Sequence, residues 1–230
     1  MIAVQTLGVS DHSRDAVGMK YVYPVVSRRA GGVSIGINLN PNNACNWRCV
    51  YCQVPDLTRG SAPEIDLPQL ERELMAMLDD VVNGDFMQRL VPEGARRLND
   101  IAFSGNGEPT TSTQLLACIE IVARAQAAFG LSGQLKTVLI SNGSQLDKAS
   151  VQAALRQLAS LQGEVWFKLD RAPQDGFEFV NQIALKRSQV ARRLALASQL
   201  CPTWIQSCMF ALDGVLPSEA VIQAYLDFLA

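Results

Sequence analysis

The chain has 230 residues, 48 % of them hydrophobic and 18 % charged, with a formal net charge of −2. That is enough apolar side chain for one sizeable α/β domain, and the near-neutral balance gives no global attraction for nucleic acid. The first residues lack a charged region followed by a long apolar run, and no stretch approaches bilayer-spanning length, so a cytoplasmic location is expected.

Residues 1–30 read as a polar, irregular N-terminal extension ending in Tyr-Val-Tyr-Pro-Val-Val-Ser-Arg-Arg-Ala, ahead of a core at 31–230. Val33–Leu39 predicts a strand, with a cysteine-rich loop directly after it. Asp66–Val82 carries Leu67, Leu70, Leu74, Met77, Leu78 and Val81 at three- and four-residue spacing, which predicts a helix. Asp100–Ser104 is a short apolar strand ending at Gly105, and Thr113–Phe129 a second helix. Thr137–Ile140 is a strand that stops at Ser141-Asn142-Gly143; Lys148–Leu161 is helical and Glu164–Leu169 a strand. Ser188–Leu200 predicts a helix, Thr203–Phe210 a strand and Ser218–Leu229 a final helix.

Five β-then-α units of this kind build a parallel sheet with helices outside it and right-handed connections. The sheet is either open and doubly wound or a full or partial barrel, and in both cases ligand chemistry gathers beyond the carboxyl ends of the strands. The polar signals obey that rule. The cysteine loop follows the first strand, a Gly-rich turn the second, Ser-Asn-Gly the third, and Lys-Leu-Asp closes the fourth.

Cys45, Cys49 and Cys52 lie in Cys-Asn-Trp-Arg-Cys-Val-Tyr-Cys and supply three thiols to one site. Thiolates select zinc, copper or iron–sulfur clusters. A structural zinc site needs four closed ligands, and the single histidine, His12, lies far upstream. A [4Fe–4S] cubane held by three thiolates leaves one iron open to a further ligand, which points to chemistry rather than stapling. Three close cysteines cannot all pair as disulfides, and a reducing compartment disfavours them. Cys118 sits on an apolar helical face and reads as core, while Cys201 and Cys208 bracket the fifth strand, with Cys208 the one expected to face an interior.

The Cys45-x3-Cys49-x2-Cys52 spacing, with Tyr51 before the last cysteine, resembles the signature of the radical S-adenosylmethionine (radical SAM) superfamily. Phe103-Ser-Gly-Asn-Gly-Glu-Pro109 stands where that family carries its second-strand Gly-Gly-Glu motif. Tyr23-Pro-Val-Val-Ser-Arg-Arg29 and the Asn-Leu-Asn-Pro run before the cysteines resemble, more narrowly, the small radical SAM proteins related to the tRNA wyosine-base synthases. The likeness implies a partial (β/α) TIM-like barrel and a [4Fe–4S] cluster on Cys45, Cys49 and Cys52. It also implies reductive cleavage of S-adenosylmethionine to a 5′-deoxyadenosyl radical that takes a hydrogen from an unassigned substrate.

The resemblance also assigns the cofactor's contacts. Gly105, Asn106 and Gly107 let backbone approach the ligand, and Glu108 holds the methionine amino group. Asn106 replaces a glycine of many relatives, so its side chain must point away or take a contact. Ser141 and Asn142 reach the cofactor's carboxylate or ribose, or else form an Asx turn or helix cap. Lys168 and Asp170 share one face of their strand; the lysine suits the carboxylate and the acid the ribose, or the two form an ion pair. Tyr51 packs towards the adenine, Trp47 shields the cluster, and Arg28 and Arg29 either clamp a substrate anion or solvate a surface. An electron donor such as a flavodoxin or ferredoxin is the implied partner, with tRNA a further one that the subgroup suggests.

Two departures stand out. The family's partial barrel has six βα units against the five counted, and the chain stops mid-helix without a cap, so a C-terminally truncated core is expected. The wyosine synthases carry a second cluster on upstream cysteines, whereas no cysteine precedes Cys45, which argues against that particular activity. A non-catalytic metal-binding protein on an α/β scaffold is the competing reading.

Overall fold

In a computed structural model, residues 7–8, 17–27, 31–172 and 175–230 are described. Arg28 and Arg29, like His12, lie outside them. Eight strands are β1 (Val22–Ser27), β2 (Gly32–Ile37), β3 (Ala44–Cys45), β4 (Thr58–Arg59), β5 (Leu98–Phe103), β6 (Lys136–Ser141), β7 (Glu164–Lys168) and β8 (Thr203–Gln206). The helices are α1 (Leu67–Val82), α2 (Phe86–Leu90), α3 (Leu115–Ala128), α4 (Ala149–Ser160), α5 (Asp175–Val180), α6 (Arg187–Leu200) and α7 (Glu219–Leu229).

Helix α1 begins where Asp66 caps it, its carboxylate accepting the Gln69 N–H at 2.9 Å, with a proline in the first turn. Leu70, Leu74, Met77, Leu78 and Val81 make its buried stripe, the positions that the sequence periodicity marks. Helices α1, α3, α4 and α6 pack side by side in that order. They cover strand residues such as Ile35, Ile37, Ile101, Phe103, Leu139, Val165 and Phe167, all in the hydrophobic core.

The main sheet has the order β1-β2-β5-β6-β7-β8. Strands β2, β5, β6, β7 and β8 run parallel, each followed by a helix, as the alternation of units requires. Side chains alternate along these strands. Val25, Ser34, Asp100, Val138 and Trp166 are among the residues that line a small cavity of about 60 Å³ on this sheet. No β1–β8 pairing closes the sheet among the described residues.

Two expectations are corrected. Val22–Ser27, read as irregular, is an antiparallel edge strand in full register with β2, from Val22 opposite Ile37 to Ser27 opposite Gly32. Its proline hid it, since a proline interrupts a central strand but is tolerated at an edge. Strand β8 ends at Gln206 rather than Phe210, because the Ser207 hydroxyl and the Cys208 N–H turn to bond Leu169 O and Asp170 Oδ1. The short helices α2 and α5 carry too few turns to show periodicity.

Candidate functional site: a cysteine loop at the carboxyl rim

The loop that carries the cysteines leaves β2 and is closed by a two-stranded parallel ribbon, β3 beside β4, with Ala44 opposite Thr58 and Cys45 opposite Arg59. Five asparagines, Asn38, Asn40, Asn42, Asn43 and Asn46, occupy the approach to it. Their amides replace regular backbone pairing. Asn38 Oδ1 accepts the Asn40 and Asn106 N–H groups at 3.0 and 3.1 Å. Asn40 Nδ2 donates to Ala44 O at 2.9 Å. The Gly-rich turn after β5 is thereby bolted to the cysteine loop.

The glycines of that turn are required by contact. A Cβ on Gly107 would lie 2.1 Å from Ala44 O, and Gly105, at φ +137°, would place one 2.5 Å from Asn38 Oδ1. Asn106, between them, turns its amide to Asn43 Oδ1 at 2.6 Å, taking the contact that its side chain needs; its own Oδ1 is buried without a partner.

Above the rim lies an open cavity of about 950 Å³, at the upper end of the roughly 300–1,000 Å³ usual for cofactor and small-molecule sites. Cys45, Cys49 and Cys52 all line it, together with Tyr51, Glu108 and Lys168. Gly105, Gly107 and Asn142 complete the set of expected site residues that the structure brings to this wall. Tyr23 and Ser27 of β1 and the Gln206–Met209 segment at and beyond the end of β8 line its other sides, so both edges of the sheet reach one cavity.

Ser141, Asp170 and Asn106 are placed behind the wall rather than in it. Ser141 is buried and donates to Glu108 Oε1 at 2.7 Å while accepting the Gly143 N–H at 3.0 Å. Asp170, 1 % exposed, is a hub. Its Oδ2 accepts from the Tyr51 hydroxyl at 2.5 Å and Asn181 Nδ2 at 2.9 Å. Its Oδ1 accepts the Cys208 N–H at 2.8 Å and forms with Lys168 Nζ, at 3.7 Å, the ion pair that the shared strand face allows.

Glu108 is 3 % exposed, and four donors surround its carboxylate. The Thr110 N–H and hydroxyl and the Ser141 hydroxyl bond Oε1, and the Asn142 N–H bonds Oε2 at 2.7 Å. Burial pushes this carboxyl above its usual range, against the pull of those donors. The group therefore ties the Gly-rich turn to the end of β6 while lining the cavity. Asn142 closes an Asx turn, its Oδ1 accepting the Ser144 N–H at 3.0 Å, and donates Nδ2 to Asn46 Oδ1 at 2.9 Å.

The three thiols carry no disulfide. Burial pushes Cys45 up to about 11 and raises Cys49 as well, the latter opposed by the Asn181 amide. Among the described residues, no three His, Cys, Asp or Glu side chains are drawn around one point as a single ion would require. Trp47, 3 % exposed, packs edge-on against Phe177 at 5.5 Å and forms part of the same wall. Cys118 is buried in the core, and Cys208 lines the cavity, both as expected.

The comparisons with known proteins accord with this architecture. No protein-family model matches the chain. A solved structure of a cobalamin-dependent S-adenosylmethionine radical enzyme, OxsB, with aqua-cobalamin bound superposes with a TM-score of 0.53, over 84 % of this chain and 26 % of that one, at 14 % identity. The chain shares its fold with the matched quarter of that structure. A UPF0026 protein of Helicobacter pylori strain J99 is 26 % identical over 90 % of this chain and 60 % of its own length. Its counterpart in strain 26695 is 29 % identical over 69 % of this chain and 45 % of its own. The chain thus spans about half the length of these curated relatives. Among the described residues no helix is long and apolar enough to cross a membrane.

Sequence reasoning missed Asn181, Thr110 and the β1 residues. Asn181 stands in no motif, and only tertiary folding brings it to the cysteines. The asparagine-rich approach was the one available signal for the loop's network, since such side chains stand in for backbone donors and acceptors.

Proposed function

We propose that this chain is a radical SAM enzyme with a TIM-like partial-barrel core, whose [4Fe–4S] cluster is held by Cys45, Cys49 and Cys52 and whose co-substrate is S-adenosylmethionine. The observation that carries the reading is the convergence of all three thiols, the Gly105–Glu108 turn and Lys168 on one cavity in a fold shared with a radical SAM enzyme. With the cluster bound, an electron passed to the sulfonium would cleave S-adenosylmethionine and give a radical able to take hydrogen from a substrate.

The protein's own part is binding, orientation and exclusion of water. Gly105 and Gly107 line the wall, and Glu108 beside them is the carboxylate suited to a cationic amine. Lys168, its ammonium 5.0 Å from the Tyr51 ring centroid, is the cation suited to a carboxylate. Tyr51 is fixed by its bond to Asp170 and offers its ring face to the cavity; burial raises its phenol, so it stays a neutral donor. Trp47 shields the loop from solvent. The likeness to wyosine-base-synthase relatives makes RNA the first substrate class to test, by crosslinking to tRNA, and a flavodoxin or ferredoxin the electron donor to try.

The decisive experiment is anaerobic reconstitution with iron and sulfide, then incubation with S-adenosylmethionine and a strong reductant. Formation of 5′-deoxyadenosine, abolished when the three cysteines are replaced by alanine, is expected. A protein that loads a cluster yet yields no 5′-deoxyadenosine would refute the reading.

A further inference from the structure

Asn181 lies one residue beyond α5 and ends that helix, its N–H donating to Phe177 O at 2.9 Å. The same corner is laced to the cysteine loop on both sides of Cys49. The Arg48 N–H donates to Asn181 O at 3.3 Å and the Val50 N–H to Val180 O at 2.8 Å. The Trp47–Phe177 ring contact adds a third tie.

The side chain is 1 % exposed, and its Nδ2 has two acceptors. One is Asp170 Oδ2 at 2.9 Å and the other is Cys49 Sγ at 3.2 Å. The Oδ1 atom is buried and has no partner in the structure. Rotating the amide by half a turn would press that oxygen against the Asp170 carboxylate, so the acid dictates which end faces the sulfur. Asp170 is itself held by Tyr51, the Cys208 N–H and Lys168, so the amide cannot follow it elsewhere. A buried amide with both N–H groups committed and its carbonyl left without a bond is an expensive arrangement for packing alone. It is intelligible if donation to the sulfur is what it supplies.

We propose that Asn181 is a positioning and tuning residue for the iron–sulfur cluster, donating a hydrogen bond to the Cys49 thiolate and thereby easing the cluster's reduction. This rests on the radical SAM reading above. Reduction adds negative charge that is shared with the ligating sulfurs, and an N–H aimed at one of them is a stronger bond in the reduced state than in the oxidised one. Outer donors to metal ligands commonly act in this way. The residue lies 132 positions from Cys49 in the chain, which is why no local motif reveals it.

The test is a resonance-monitored redox titration of the reconstituted protein without S-adenosylmethionine, with iron content measured alongside. Asn181→Leu keeps the branched shape at a larger volume and removes the donor, Asn181→Ala removes it without crowding, and Asn181→Gln restores it. Leu and Ala should shift the reduction equilibrium about three- to tenfold towards the oxidised form, where tenfold is about 59 mV for one electron. Gln should recover part of the shift. Phe177→Ala, which loosens the same strap but keeps the donor, should move the potential less than either. Should N181L fail to load iron, N181A carries the comparison. Loaded variants with the wild-type potential, or an equal shift in F177A, would overturn the proposal and leave the radical SAM reading intact. Wild-type protein that takes up no cluster would overturn both.

Discussion

Asp170→Asn tests whether the buried hub behind the cavity stabilises the fold as its geometry indicates. The replacement keeps size and shape but removes the charge and one acceptor. If the new amide turns its NH2 towards Tyr51 and Asn181, the Tyr51 hydroxyl can rotate to accept, whereas Asn181 Nδ2 is left facing a donor. If it turns the other way, the NH2 meets the Cys208 N–H and the Lys168 ammonium, which is worse. The first orientation leaves one buried donor unpaired, at about 1–3 kcal/mol, and weakens a retained charge-assisted bond by about 1 kcal/mol. A loss of about 2–4 kcal/mol is expected. For a chain of this size each kcal/mol lowers Tm by about 2–4 °C. Thermal melting followed by circular dichroism reads this directly, with Asn142→Ala as a comparison that removes a partly exposed amide at the same rim. A D170N melting point within 2 °C of wild type would refute the view of Asp170 as a satisfied buried hub.

Gly107→Ala forces a methyl against Ala44 O and should part the Gly-rich turn from the cysteine loop, seen as faster proteolysis of the loop and poorer iron loading. Trp47→Ala removes a buried indole from the loop's underside and should cost about 3–5 kcal/mol by chemical denaturation. Glu164, raised by partial burial but lowered overall by its bonds to Lys136 and Trp166, favours the folded state once it is ionised. That contribution is present above the ordinary glutamate range and is lost as pH falls through the depressed folded value. The Lys136 pair is exposed and is worth about 0.2–1 kcal/mol at most, so Lys136→Met should lower stability slightly at pH 7 and not at pH 3 in paired urea titrations. Replacing Cys45, Cys49 and Cys52 with alanine should abolish iron binding while leaving the far-ultraviolet dichroism unchanged, since none of the three is fully buried and all lie outside the main sheet and its helices.

The sequence alone determined the succession of parallel strands and helices along the chain, because apolar periodicity is a local property of each segment. It also determined which polar motifs gather at one rim: Cys45, Cys49, Cys52, the Gly105–Glu108 turn and Lys168 lie at or beyond strand ends, and all of them reach one cavity. Tertiary structure alone decided the rest. The edge strand β1 pairs through hydrogen bonds to β2 that its proline-bearing sequence does not advertise. Asp170 and Ser141 share strand-end positions with the cavity residues, yet buried donors draw their oxygens inward, and a charge out of water must go where its partners are. Asn181 reaches Cys49 only because α5 folds back across the cysteine loop, and contacts between residues so distant in the chain leave no spacing to read.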